Sequence, residues 1–318
     1  MIKISVIIPL YNEEDNLQEM YTRLTSVLKK RGSSYEIIFV DDGSTDKSYD
    51  TLATYQEKDP YVKVIQLSRN FGQPAAIAAG LGFCEGEYTV VLDADLQNPP
   101  EEIPKLLDEI ESKDYDIVYG VRKNRKDTFF RRFSSNFLYW YMTKIFHIKL
   151  PRDISAFRVM NRNMVDFFNH LPEKTRLYGA LSSWKTNNYK CLEVKHATRF
   201  KGKSKYSFFK LFRRTTDLAV AFSLLPLRWI GFTGVLVALG SIGFALYFLI
   251  QRLLYGFVIP GFSSIIISLM FFSGVQLISL SIIGEYIGRI YTQVQDRPMF
   301  IIDKLLGFSS DLHKGVSD

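Results

Sequence analysis

The sequence predicts an α/β domain built on a mostly parallel sheet, followed by helices suited to a lipid bilayer. Three observations carry that expectation. Short runs rich in Val and Ile alternate with helical patterns from the N-terminus to about Gly120. Acidic residues cluster where two of those runs end. Two long stretches without a charged side chain begin after Arg228.

The strand-like runs are Ile4–Leu10, Glu36–Val40, Val62–Leu67, Tyr88–Leu92 and Asp116–Gly120. Between them lie helical patterns at Asn16–Lys30, Asp46–Lys58, Pro74–Gly82 and Glu101–Ser112. Glu13, Glu14 and Asp15 bring negative charge to the start of the first helix, where the helix dipole favours it. Pro99, Pro100 and the Glu pair after them form a start signal for the fourth. Strand, helix and strand at this spacing imply parallel strands with helices on both faces. Ligands of such sheets bind at the carboxyl ends of the strands, so the chemistry is sought there.

Trp229–Ile250 carries no charge and is long enough to cross a hydrocarbon core, which takes roughly 20 helical residues. Leu253–Gly284 carries none either; beyond Gly256, Pro260 and Gly261 its apolar span is 262–284. The alternative is a pair of buried helices, but helices of globular proteins usually keep a polar face. Arg213, Arg214 and Arg228 precede the first span, Arg289, Arg297 and Lys304 follow the second, and the connecting loop holds only Arg252. The positive-inside rule then puts both chain ends in the cytoplasm and makes this a multi-pass membrane protein. The N-terminal MIKISVIIPLYNEE reads as a strand, not a signal peptide. Phe129–Ile148 and Tyr206–Leu225 mix Phe, Tyr and Trp with Arg and Lys, the composition of helices lying in a headgroup layer; core-facing helices are the alternative. The expected organisation is an α/β domain over 1–200 with an interfacial segment at 129–148, an interfacial amphipathic helix at 201–228, spans at 229–250 and 262–284, and a cytosolic tail at 285–318.

The formal charge of +7 suits an anionic partner: a phosphate substrate, a membrane surface or nucleic acid. Charged residues at 23% and aromatics at 14% exclude a disordered chain. Only Cys84 and Cys191 are present, which excludes a disulfide scaffold and fits a reducing compartment. No G-x-G-x-x-G follows the first strand, no G-x-x-x-x-G-K-[ST] occurs, and the four histidines do not cluster with cysteine at zinc spacing.

The strand ends carry acid instead. Asp41 and Asp42 close the second strand in VDDGSTD, and Asp93 and Asp95 close the fourth in VVLDADLQNPP. Two carboxylates one residue apart at a strand exit can share a hard divalent cation, Mg²⁺ or Mn²⁺, which takes oxygen ligands and commonly substrate phosphates as well. A lone D-x-D is frequent in solvated loops. Its place after a buried strand, in a sheet with other acidic strand ends, favours the metal reading.

VIIPLYNEEDNL, IIFVDDGSTD, RNFGQPAAIAAGL and VVLDADLQNPPE occur in this order and resemble the family 2 inverting glycosyltransferases of the GT-A fold. RFKGKSKYS at Arg199–Ser207, followed by two apolar spans, is similar to the polyisoprenyl-phosphate glycosyltransferases. That group includes dolichol-phosphate mannose synthases and bacterial undecaprenyl-phosphate glucosyltransferases of the O-antigen type. The resemblance covers roughly residues 3–300. It implies a nucleotide-sugar donor, a polyisoprenyl phosphate acceptor, a Mg²⁺ or Mn²⁺ cofactor and a bacterial inner-membrane location with the catalytic domain in the cytoplasm. It further implies a homo-oligomer such as a tetramer, a flippase as partner, and no role for nucleic acid. Pro9, Tyr11 and Glu13 match the turn that contacts base and ribose, and Val40 and Asp42 the floor that reads the nucleotide. Asp93 and Asp95 match the metal and diphosphate site, and Gln97 a sugar-side contact. Arg122 in YGVRKNR matches a phosphate-binding arginine. Arg131, Ser135, Arg199 and Lys205 are candidates for the acceptor phosphate or the donor diphosphate.

The implied reaction is a direct displacement that inverts the sugar. A lipid monophosphate is already anionic near neutral pH, because its second ionisation falls at about pH 6, so a strong base is less needed than for a hydroxyl acceptor. The segment DISAFRVM departs from the family's D-x-G-x-F-R-L pattern: Ser155 replaces the Gly, and Ala156 stands where an acid is frequent. Asp153 remains as an aligner of the acceptor, a weak base or a local cap. One hypothesis is that Ala156 is an engineered replacement that silences the enzyme, which restoring Asp with no gain in turnover would dispose of; a native Ala156 is the alternative. Glucose from UDP-glucose is the first expectation for the donor, with GDP-mannose and an aminoarabinose donor open. A processive polysaccharide synthase and a non-enzymatic membrane scaffold are the competing readings. Against the first, the position three before Arg228-Trp229 is Leu225 and not Gln. Against the second, neither span holds an internal ionisable residue.

Overall fold

The computed structural model describes residues 2–122, 154–173, 176, 178–195, 197, 225–255 and 261–308. The expected interfacial segment 129–148, most of that at 201–228 and the loop at 256–260 lie outside them. The chain divides into two compact units, one of Met1–Tyr139, Ile148–Lys205 and Pro298–Asp318, the other of Trp140–His147 and Tyr206–Arg297.

The first unit is an eight-stranded sheet in the order β7-β5-β6-β4-β1-β2-β3-β8. Strands β1 (Ile4–Leu10), β2 (Tyr35–Asp41), β3 (Val62–Leu67) and β4 (Tyr88–Val91) pair in parallel. Strand β5 (Ile117–Arg122) pairs in parallel with β7 (Tyr189–Val194). Strand β6 (Ile154–Asn161) runs antiparallel between β4 and β5, and β8 (Ile302–Leu306) runs antiparallel to β3 at the edge. The expected mostly parallel sheet is therefore present, with two opposed strands.

Alternation along β1 and β2 sends side chains to two buried faces, which is why both strands read as continuous apolar runs. On one face Val6, Ile8, Ile37, Phe39 and Val90 meet Leu17, Met20 and Leu24 of α1 (Glu14–Arg31) and Leu106 and Ile110 of α4 (Ile103–Lys113). The other face carries α3 (Gln73–Phe83), whose buried Ala75, Ala76 and Ala79 permit close approach to the sheet. Helix α1 keeps Glu14 and Asp15 in its first turn and Lys29, Lys30 and Arg31 in its last, and ends at Gly32 in the left-handed region (φ 73°). Of the prolines expected to start the fourth helix, Pro99 is extended and Pro100 opens a 3₁₀ turn, Pro100–Glu102, after which α4 begins.

Two segments depart from the sequence reading. Asp153–Met160 reads as a loop, but from Ile154 it is strand β6; Phe157, Val159 and Met160 are fully buried there. The expected tail 285–318 contains β8, and Ser68 N–H donates to Ile301 O at 2.9 Å just ahead of it. Lys304 lies over the Tyr49 ring at 4.5 Å, and Phe308 packs edge-on to Phe83. A short strand with Asp303 and Lys304 in its middle gives almost no apolar signal, and such charge is common on edge strands.

In the second unit, α7 (Leu225–Tyr255) and α8 (Phe262–Val294) contact each other. Among the described residues one stretch, Ser268–Val294 of α8, is long and apolar enough to cross a membrane, with mean hydropathy 1.4. The apolar stretch of α7, Leu227–Gly243, is shorter.

Candidate active site

Two strand ends part at the centre of the sheet. Strand β4 last pairs with β1 at Ile7↔Val91, and Leu92 N–H donates to Ile7 O at 3.0 Å. Pro9 lies beyond that point, beside Val40 of β2, where its missing N–H costs little on the β4 side. The chain leaves β1 toward β2 and β3 and returns to β4 on the other side. The β1–β4 divide is therefore the switch point at which open α/β sheets bind ligands.

The loops after β1 and β2 are stitched together. Asn12, at φ 55°, donates its N–H to Ser44 Oγ at 2.9 Å and accepts from Thr45 N–H at 2.8 Å. Glu13 N–H donates to Ser48 Oγ at 3.2 Å, and Ser44 N–H donates to Asp41 Oδ1 at 3.0 Å. Gly43 has φ +66°, and a Cβ there would stand 2.5 Å from the Arg69 carbonyl carbon. Only glycine lets the β2 and β3 loops approach this closely.

Asp42 is buried and accepts from Phe71 N–H at 2.7 Å and Gly72 N–H at 2.8 Å. Burial pushes its carboxyl above the usual range, while the two N–H donors pull it down. Both oxygens thus fix the loop after β3. Val40 is fully buried, flanked by Pro9 and Ile65 in the sheet, and Tyr11 is 42% exposed beyond the end of β1.

Asp93 follows β4, and its Oδ1 accepts from Gln73 Nε2 at 2.5 Å. Burial, and next the charge of Asp95, push the Asp93 carboxyl up to about 6; Arg158 and the Gln73 hydrogen bond act against this, and Glu13 adds to the acidic field. Asp95 Oδ1 accepts from Gln97 N–H at 3.1 Å, closing a turn through Leu96 at φ 57°. Gln97 O accepts from Ala197 N–H at 3.0 Å, which brings the segment preceding Arg199 to the D-x-D turn. Among the described residues no group of three or more His, Cys, Asp or Glu could hold a metal. Two carboxylates crowded by mutual repulsion still suit a divalent cation whose remaining ligands are substrate and water oxygens.

The structure therefore gathers Glu13, Asp93, Asp95 and Gln97 at one place. Arg122 ends β5, its backbone in register with Val194. Arg131, Ser135, Asp153, Arg199 and Lys205 lie outside the described residues. Ala156 lies in β6, two residues beyond the last β4–β6 pair, Val91↔Arg158, as Asp93 lies two residues beyond it on the β4 side. Two neighbours escaped the sequence reading. Gln73 lies within RNFGQPAAIAAGL, so its motif was in view but not its role. Arg158 is the one charge in an otherwise uncharged strand, a signal in itself: it is 5% exposed and its guanidinium stacks over the Tyr178 ring at 4.7 Å.

Residues 5–217 match glycosyl transferase family 2. The chain is 37% identical over 307 residues to an uncharacterized glycosyltransferase of Synechocystis sp., covering 96% of each. It is 37% identical over 312 residues to another uncharacterized glycosyltransferase, of Bacillus subtilis, covering 97% of this chain and 96% of the relative. Among solved structures, the glucosyl-3-phosphoglycerate synthase of Mycobacterium tuberculosis superposes with TM-score 0.51 at 13% identity, covering 70% of this chain and 79% of that one. The mannosyltransferase of Pyrobaculum calidifontis in complex with GDP-Man and Mn²⁺ superposes with TM-score 0.50 at 18% identity, covering 71% and 64%.

Proposed function

The chain belongs to glycosyl transferase family 2 and is a glycosyltransferase with the GT-A fold, and on that premise we propose that it moves a hexose from a nucleotide sugar to a polyisoprenyl phosphate. The donor proposed is UDP-glucose, the acceptor undecaprenyl phosphate, and the place a bacterial inner membrane with the catalytic unit on the cytoplasmic side. The observation that carries the reading is the acidic D-x-D turn at the switch point of the sheet, in a chain that also holds the apolar helix Ser268–Val294.

The long helices support the membrane part. Phe232, Leu239, Leu269, Phe271 and Leu277 are exposed along them. The hydroxyls of Thr233, Ser241, Ser279 and Thr292 each bond the carbonyl four residues earlier. Such pairing keeps polar atoms satisfied where no water is available. A lipid acceptor is the substrate class that gives a transferase reason to sit on such helices.

Asp93 and Asp95 would hold Mg²⁺ or Mn²⁺, an ion that supplies charge neutralisation for a departing nucleoside diphosphate. The residues of the chain do the rest. Asp42 holds the loop that precedes Gln73, and Gln73 holds Asp93. An acceptor phosphate oxygen attacks the anomeric carbon, the bond from that carbon to the diphosphate oxygen breaks, and the sugar inverts. Arginines that orient the acceptor in line with that bond provide positioning, the larger need when both substrates are anionic. Arg122 is proposed for this together with Arg131, Arg199 and Lys205. The test offers the purified protein UDP-glucose or GDP-mannose, each with undecaprenyl phosphate or undecaprenol. Radiolabel in the lipid phosphate from UDP-glucose alone is expected. Equal transfer to the free alcohol would overturn the acceptor, and transfer only from GDP-mannose would overturn the donor.

A further inference from the structure

We propose, resting on that reading, that Arg158 contacts substrate: its guanidinium, stacked on Tyr178 on the face of the sheet that carries Asp93, binds a phosphate oxygen at the strand ends. Arg158 lies opposite Val91 of β4 and Tyr119 of β5, and alternation puts Val91 and Asp93 on one face. Its Nε and Nη2 are buried with no hydrogen-bond partner among the described residues. Arginine cannot shed its proton to relieve that burial. Among the described residues Tyr119, Tyr178, whose ring lies 4.7 Å from the guanidinium, and Asp93 act against that burial.

A second cation borders the same tyrosine. Arg176 donates through Nη2 to Leu171 O at 3.4 Å, and its buried Nε also lacks a partner. Tyr178 in turn donates its hydroxyl to Pro74 O at 3.1 Å, which fixes the ring against the start of α3 beside Gln73. The group so formed is cationic: both arginines act on Tyr178, and Arg176 also shares a side-chain hydrogen bond with it. The position of Arg158 within β6 could have been filled by an apolar residue like the Val159 and Met160 that follow. An orphaned guanidinium is retained at such a position where its acceptor arrives with a ligand. Phosphate suits it, because the planar fork of donors matches two phosphate oxygens. The donor diphosphate and the acceptor monophosphate share that chemistry.

The experiment uses the full chain in detergent with Arg158→Met, which keeps bulk and removes charge, and Arg158→Lys, which keeps charge and removes the fork. Calorimetry gives Kd for UDP with Mn²⁺, for GDP with Mn²⁺ and for undecaprenyl phosphate; thermal midpoints are read without ligand. Arg158→Met is expected to melt at or above the parent and to bind one phosphate ligand about tenfold or more weakly, with Arg158→Lys between. Loss confined to the nucleotides assigns the donor diphosphate; loss confined to the lipid assigns the acceptor. Affinities all within about twofold of the parent overturn the proposal. So does an Arg158→Met chain that fails to fold or melts well below the parent, since Arg158 then serves the fold alone. A parent that binds none of the three ligands removes the functional reading together with this inference, whereas a parent and Arg158→Met that bind alike remove this inference only.

Discussion

Gln73 Nε2 donates to Asp93 Oδ1 at 2.5 Å, tying the first residue of α3 to the exit of β4. The donor is neutral, so it orients the carboxylate without supplying the positive charge that a cation would bring. A lysine at this place would compete with a metal; an amide does not. The bond also joins the two loops on either side of the switch point, because the residue before Gln73 is Gly72, whose N–H is held by Asp42.

Removing one of the paired acids should therefore abolish metal-supported transfer without unfolding the domain. Asp95→Asn is expected to lower turnover by about a hundredfold or more, the scale on which positioned electrostatic groups act, while its circular dichroism and melting stay close to the parent's. Near-native turnover in that variant, or full turnover in excess chelator, would remove the metal from the reaction.

The Asp93 carboxyl stands raised from the usual 3.8 to about 6, burial first and Asp95 second. The folded chain then keeps this proton up to about pH 6, while the unfolded chain releases it near pH 4. Between these values the native state binds more protons, so metal-free stability falls as pH rises through the window and levels off above it. Asp93→Asn should flatten that slope. The check is the thermal midpoint of both proteins from pH 4 to pH 7 in chelator; parallel curves would count against it.

Asp42 and Gly43, adjacent in the chain, hold the β2 and β3 loops together, Gly43 against Arg69 and Asp42 through Phe71 and Gly72. Gly43→Ala meets both a positive φ and the Arg69 backbone, and should cost about 1–3 kcal/mol. Asp42→Ala leaves two N–H groups without their acceptor, and should cost about as much. Both should raise KM for the nucleotide sugar more than they lower kcat, because the damage lies in the loop we propose to bind the nucleotide. Melting and kinetics measured together decide this, and unchanged values in both variants would show that the stitching is dispensable.

The sheet was legible because β1 to β5 are apolar runs and their helices carry charge at the expected ends, as with Glu14 and Lys30. The acids were legible because D-x-D closes a strand. Strand β6 was not, since Ser155 and Arg158 break up the apolar run that holds the buried Phe157, Val159 and Met160. Strand β8 was not, since Asp303 and Lys304 mask its alternation. Arg158 and Gln73 required tertiary structure: each matters through what stands beside it, and neither Tyr178 nor Asp93 is near it in sequence.

Ala156 offers the last prediction. It and Asp93 each lie two residues beyond the last β4–β6 pair, Val91↔Arg158. The family resemblance places an acid at this position, so Ala156→Asp would add a third carboxylate to the existing pair. Like charges should push the Asp93 carboxyl higher still in the metal-free chain and lower its stability near neutral pH. A divalent cation should offset this, so Mn²⁺ should raise the melting temperature of Ala156→Asp more than that of the parent. Turnover with UDP-glucose and undecaprenyl phosphate should rise by about tenfold, below the 10²–10⁴ typical of a general base, because a phosphate acceptor is already anionic. Ala156→Asn serves as the control for shape without charge. A gain in Ala156→Asp absent from Ala156→Asn identifies the carboxylate as the missing group, whereas equal turnover in all three chains would mean that the acceptor oxygen needs no base.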